Sequence, residues 1–194
     1  MRIIPIRFAL LASLLTSPLL AQTTARWGVV AGLGIGVGAA DVHCATCSGG
    51  DIGGPSMNAR LGGALREDLM LVAELDAFSG SKYVNFATNS SSLEALNVVA
   101  VWYPRGPGGY FVSAGLGGGR VGSSSGRLFS EYQSPIGPAY KVGVGYDIKV
   151  GTSLAITPFT SFVYVAGGTP KGMTEKLSGS VIVAGVSANF NTMH

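Results

Sequence analysis

The chain has 194 residues, 47% hydrophobic and only 12% charged, with 30 glycines and a formal charge of +3. That is length for one domain, and about half the charge share of an ordinary soluble protein. No apolar stretch after the first two dozen residues is long enough for a transmembrane helix. No basic tail or stripe is present that would suggest nucleic acid.

At the N-terminus Arg2 and Arg7 form a positive region, Phe8 to Leu15 an apolar one, and Leu19-Leu20-Ala21 ends on a small residue. Positive, apolar and small-residue regions in that order are the layout of a removable secretory signal. Residues 1–21 are therefore expected to be a signal peptide and 22–194 the mature domain. Its removal would take two arginines with it, so part of the basic character belongs to the leader. No Cys follows Ala21, which argues against lipoprotein processing.

The remainder divides into segments of alternating hydrophobicity separated by turn residues. In a strand, alternate side chains point to opposite faces. From Trp27 to Ala39 the odd positions are apolar (Val29, Leu33, Ile35, Val37) and the even ones almost all glycine. A nearly bare face suits the interior of a narrow barrel, where few large side chains fit. A second segment sets Met57, Ala59, Leu61, Gly63 and Leu65 against Asn58, Arg60, Gly62 and Ala64. Arg66-Glu67-Asp68 turns the chain into a third, with Leu69, Leu71, Ala73, Leu75 and Ala77 outward and Met70, Val72, Glu74, Asp76 and Phe78 inward. Charges confined to one face of an apolar strand need water or a partner.

The fourth segment carries Leu96, Val98, Ala100 and Trp102 outward and stops at Pro104. The fifth carries Tyr110, Val112, Ala114 and Leu116 outward. The sixth has Tyr140, Val142, Val144 and Tyr146 outward with Lys141 and Asp147 inward. The seventh, Leu154 to Val165, contains Pro158 and its faces cannot be assigned, because proline normally demotes a strand. The eighth aligns Ile182, Ala184, Val186, Ala188 and Phe190.

Short linkers near 66–68, 104–109 and 149–152 alternate with long polar ones near 41–56, 79–92, 122–138 and 166–176. Eight segments with short turns at one end and long loops at the other predict an all-β fold, an eight-stranded antiparallel transmembrane β-barrel with its long loops extracellular. Aromatic residues near both sets of segment ends (Trp27, Trp102, Tyr103, Tyr110, Phe111 and Tyr146; Phe78, Tyr140, Phe162 and Tyr164) fit two membrane interfaces.

Four sets of residues are candidates for chemistry. Arg60, Glu74 and Asp76 share the inner face of one hairpin and Lys141 points inward from the sixth strand, which predicts an interior charge cluster. Cys44 and Cys47 would meet an oxidising compartment after export, where a loop disulfide is expected; free thiols or a metal half-site with Asp41 and His43 are the alternatives. His43 with Asp41, Asp76 and Ser79 lies toward the long-loop rim. Gly49, Gly50, Gly53 and Gly54 lack the following helix and Lys-Ser/Thr pair of a phosphate cradle, and no cofactor or metal is implied.

The glycine-rich opening Trp27-Gly28-Val29-Val30-Ala31-Gly32-Leu33-Gly34, Cys44-x-x-Cys47, Tyr103-Pro104, Gly143-Val144-Gly145-Tyr146-Asp147 and Leu154-Ala155-Ile156-Thr157-Pro158-Phe159 occur in order over residues 26–190. In these the chain resembles the small OmpA/OmpX-type bacterial outer-membrane barrels. The resemblance implies residence in the outer membrane and little about activity beyond that; contact with its lipids and with the barrel-assembly machinery is expected, and the loops are the candidate surface for an extracellular partner. The terminal aromatic of such barrels corresponds to Phe190, but Asn191-Thr192-Met193-His194 follows it here. The expected role is structural, adhesive or recognitional and not enzymatic, with a narrow lumen filled by side chains. The first alternative is a lipid A acyltransferase or deacylase using the rim histidine, and the second a soluble secreted barrel of the lipocalin type.

Overall fold

The computed structural model describes residues 28–43, 52–84, 87–106, 109–125, 130–170 and 176–192. Residues 1–21, the expected signal peptide, lie outside them, as do Trp27, Cys44 and Cys47.

The described residues form nine strands: β1 Val29–His43, β2 Ile52–Arg66, β3 Leu69–Val84, β4 Ala87–Trp102, β5 Gly109–Ser125, β6 Ser130–Gln133, β7 Gly137–Lys149, β8 Leu154–Val165 and β9 Ser178–Asn191. All pairings are antiparallel. Neighbours run β4-β3-β2-β1-β9-β8-β7-β5, and a further β4–β5 pairing closes the circle. The short β6 pairs with Gly122–Ser125 of β5, and β7 with Gly109–Gly119 of the same strand. The two are successive parts of one wall position, separated at Ser134-Pro135-Ile136, so the barrel has eight strands. Closure leaves no sheet edge in the wall, which a hydrocarbon surrounding requires.

The ends of the chain complete the wall. β1 and β9 pair from Val30↔Asn191 to His43↔Ser178. Below that ladder Thr192 N donates to Val29 O (3.0 Å) and Val29 N donates to Thr192 Oγ1 (3.0 Å).

Alternation sorts the side chains as the sequence pattern predicts. Leu33, Ile35, Val37, Met57, Leu61, Leu75, Leu96, Leu116, Val144 and Ile182 are exposed on the outer face, while Val72, Val99, Val121 and Val163 are buried inside. An exposed apolar surface of this extent belongs in lipid rather than water. The faces of β8 are settled too. Thr157, Phe159, Ser161, Val163 and Val165 point inward, while Pro158 points outward with Phe162 and Tyr164. Proline has no N–H to donate. The β7–β8 ladder accordingly skips from Gly145↔Phe159 to Ile148↔Ile156, while the β8–β9 ladder runs on through Pro158↔Val186.

Two sequence expectations are corrected. The polar stretches at 79–92 and 122–138 are not loops over most of their length. β3 and β4 stay paired from Ser79↔Ser92 to Val84↔Ala87, and β4 and β5 as far as Asn89↔Ser125. A membrane-crossing strand needs about 9–11 residues, and β3, β4 and β5 have 16, 16 and 17. Serine and asparagine continue a ladder whose register the apolar part has already set; polar composition marks where the apolar band ends, not where the strand ends. The second correction concerns the aromatics. Trp102, Tyr110 and Tyr146 face outward near the turn end and Tyr140, Phe162 and Tyr164 near the loop end, but Phe78, Tyr103 and Phe111 are buried inside. A ring near a strand end joins an interface belt only if its parity points it out.

Inside are two apolar clusters. One, toward the loop end, gathers Phe78, Leu93, Val121, Val163, Val165 and Leu177 with smaller neighbours. The other, toward the turn end, gathers Met70, Val72, Val99, Val101, Tyr103 and Phe111.

Candidate functional site

β2, β3 and β7 bring the four predicted charges together. Arg60 and Glu74 are directly opposite in the β2–β3 ladder, and Arg60 Nη2 donates to Glu74 Oε1 at 3.3 Å. Lys141 reaches them from β7: its Nζ lies 3.0 Å from Glu74 Oε1 and 2.5 Å from Asp76 Oδ1. Asn97 of β4 donates from Nδ2 to Asp76 Oδ2 at 3.5 Å. The Lys141 and Glu74 side chains are only 3% and 2% exposed. Two cations and two carboxylates share a space screened from water, so the attraction between them is stronger than at a surface.

Glycine makes room for this layer. A Cβ at Gly32 would fall 2.1 Å from Asn189 Oδ1 and 3.0 Å from Arg60 Cγ, and one at Gly34 would fall 2.2 Å from Asn58 Oδ1. The glycine face of β1 is thus a floor on which Arg60, Asn58 and Asn189 lie. The Asn58, Asn97 and Asn189 amide oxygens have no conventional hydrogen-bond partner among the described residues. Asn58 and Asn189 instead place theirs against the glycine backbone, where Cα–H groups offer weak donors.

A second interior network was not legible in the sequence. Tyr103 Oη donates to Asp147 Oδ2 (2.9 Å), Thr157 Oγ1 donates to Asp147 Oδ1 (2.6 Å), and Asn189 Nδ2 donates to Thr157 Oγ1 (2.7 Å) and Ser187 Oγ (3.1 Å). It joins the ends of β4, β7, β8 and β9. Alternation places Asp147 inside, but Tyr103 sits one residue past its strand and Thr157 lies beside Pro158, where the pattern is unreadable. The polar inward positions of β9, Ser187 and Asn189, were the available signal.

The rim candidates are not assembled into a catalytic group. His43 Nδ1 and Asp41 Oδ1 are 3.3 Å apart and both side chains are well exposed. Asp76 faces inward and is held by Lys141. Ser79, three residues later on the same strand, has the opposite parity and is exposed. The Cys44–Cys47 pairing concerns residues that are not described.

At the loop end the projecting sheet is rich in hydroxyls. On its outer face Ser79 pairs with Ser92, Ser81 with Ser90, and Ser90 with Ser124; the Ser90 and Ser124 hydroxyls are 2.9 Å apart. One step toward the apolar band lies an ion pair, Arg120 Nη2 to Glu94 Oε2 at 2.6 Å, both side chains nearly half exposed. Such a pair contributes about 0–1 kcal/mol.

No family model and no curated protein sequence matches the chain. Among solved structures it is similar to Neisserial surface protein A, with 14% identity over 84% of this chain and 97% of that one and a TM-score of 0.58. It is similar to Ail, the attachment invasion locus protein of Yersinia pestis (11% identity, 84% and 99% covered, TM-score 0.58), and to the outer membrane protein OprG of Pseudomonas aeruginosa (10%, 88% and 99%, 0.51). At these identities the likeness is one of fold.

Proposed function

We propose that this chain, which has the fold of the small eight-stranded outer-membrane barrels, resides in a bacterial outer membrane after export and acts as a surface-recognition or adhesive protein. The carrying observation is the projection of β3, β4 and β5 beyond the apolar band as a continuous hydrogen-bonded sheet with a hydroxyl-rich face. A paired sheet holds its surface groups in fixed positions, so a partner need not pay to order them. The interior supports the same reading: Leu93, Val121, Val163, Val165 and Leu177, at 0–1% exposure, suit a lumen filled by side chains rather than a diffusion path. One neighbour was solved with the heparin analogue sucrose octasulfate, which makes sulfated glycan a sensible first probe.

The test uses cells exporting the full-length barrel and cells exporting a version in which residues 80–91 are replaced by a two-residue turn. Adherence to immobilised heparin and to matrix glycans is compared, and the lipid A of both strains is profiled by mass. Adherence that needs the projection, with lipid A unchanged, is expected. Equal adherence of the two would overturn the recognition role, and a barrel-dependent change of lipid A acylation would return the enzyme reading.

A further inference from the structure

The outer wall is not evenly ridged. Ala31, Ala59, Ala73 and Ala188 form the floor of a groove of about 490 Å³ with an almost wholly apolar lining. The register explains it. Leu33 is opposite both Ala59 and Ala188, and Leu61 is opposite both Ala31 and Ala73. Each alanine is therefore one diagonal step from the next, across β9, β1, β2 and β3, and the leucines stand as walls on either side. Phe190 bounds the groove toward the turn end and Leu96 beyond β3. Because strands in a small barrel are tilted, a groove crossing them runs obliquely through the apolar band.

We propose that this groove is a lipid site that holds one phospholipid acyl chain in a fixed place. The inference rests on the barrel spanning a bilayer. Three observations select the occupant. The groove lies wholly within the outward apolar band, between Leu96 and the turn-end ring of Phe190, where the only continuous phase is hydrocarbon. Its volume falls within the range of about 300–1,000 Å³ found for specific ligand pockets. Its shape is a narrow channel of small residues between leucine ridges, which suits a flexible chain of methylenes. A second copy of the protein fits it poorly: a two-fold contact places the same patch on both subunits, which here would set groove upon groove.

The barrel is purified from membranes in a mild detergent, and phospholipid retained per chain is counted by native mass spectrometry. Ala59→Leu with Ala188→Leu fills the groove from two strands. Ala114→Leu, an outward alanine on β5, is the control. Heat-modifiable gel mobility reports barrel folding, and incorporation into vesicles reports the spanning reading, so a failure of either is separated from loss of the site. One retained phospholipid in the parent and the control, lost from the filled variant, is expected. No retained lipid in the parent, equal retention in the filled variant, or a dimer that the filling dissociates would each overturn the proposal. If the double variant does not fold, Ala59→Leu alone is measured against the same expectation.

Discussion

Lys141 on β7 and Asp76 on β3 are 65 residues apart in the chain and meet at 2.5 Å inside the barrel. Neither strand is the other's neighbour in the wall; the contact spans the interior. Lys141 also touches Glu74, so one ammonium ties two carboxylates, of which Arg60 reaches Glu74 alone.

Removing Lys141 should therefore cost more than removing Arg60. Lys141→Met leaves two buried carboxylates short of a cation, a loss of about 3–5 kcal/mol. Arg60→Met removes the longer, 3.3 Å contact to Glu74 only and is expected to cost less. Adding Glu74→Gln and Asp76→Asn to Lys141→Met should recover part of the loss. Urea unfolding of the refolded barrel in vesicles measures all of these. A near-neutral Lys141→Met would mean that the cluster is hydrated and contributes little.

Leu33 and Gly34 point to opposite faces, and both should resist substitution for different reasons. Leu33→Arg sets a cation against lipid, at a cost of about 2–4 kcal/mol near the midplane. By parity alone, Gly34→Ser looks mild. The structure puts Asn58 Oδ1 where its Cβ would go, so overpacking of about 1–3 kcal/mol is expected. Asn58→Ala should relieve part of the loss in the serine variant, since Ser187 Cβ also stands 2.9 Å from that position, and do nothing for Leu33→Arg. Folding yield and urea midpoint separate the two; Gly34→Ser at parental stability would show that Asn58 moves aside freely.

Thr157 is 0% exposed and both donates to Asp147 and accepts from Asn189. Thr157→Val keeps the shape and deletes both bonds, leaving buried polar groups short of partners at about 1–3 kcal/mol. Thr157→Ser should retain most of the stability. A Thr157→Val variant as stable as the parent would show that the two bonds contribute little.

Cys44 and Cys47 are expected to form a disulfide in the exported protein, since an oxidising compartment favours pairing. The closed loop is short, so its removal should change barrel stability little. Thiol labelling of the denatured protein before and after reduction reads this directly; full labelling without reductant would exclude the bond.

The sequence by itself determined the eight wall strands, the outward faces of all but β8 and the inward parity of Arg60, Glu74, Asp76 and Lys141, because a two-residue period with one side facing an apolar surrounding leaves a mostly apolar row. Where the strands end was illegible, since Ser79–Val84 and Ala87–Ser92 pair beyond the apolar band as well as leucine does within it. The facing of β8 was hidden by Pro158, and needed its neighbours β7 and β9 to fix it. The contacts across the lumen, Lys141 with Asp76 and Tyr103 with Asp147, were decided only by closure. Alternation tells which side of the wall a residue takes; the height at which opposite walls meet depends on the stagger accumulated around the whole barrel, and no single segment contains it.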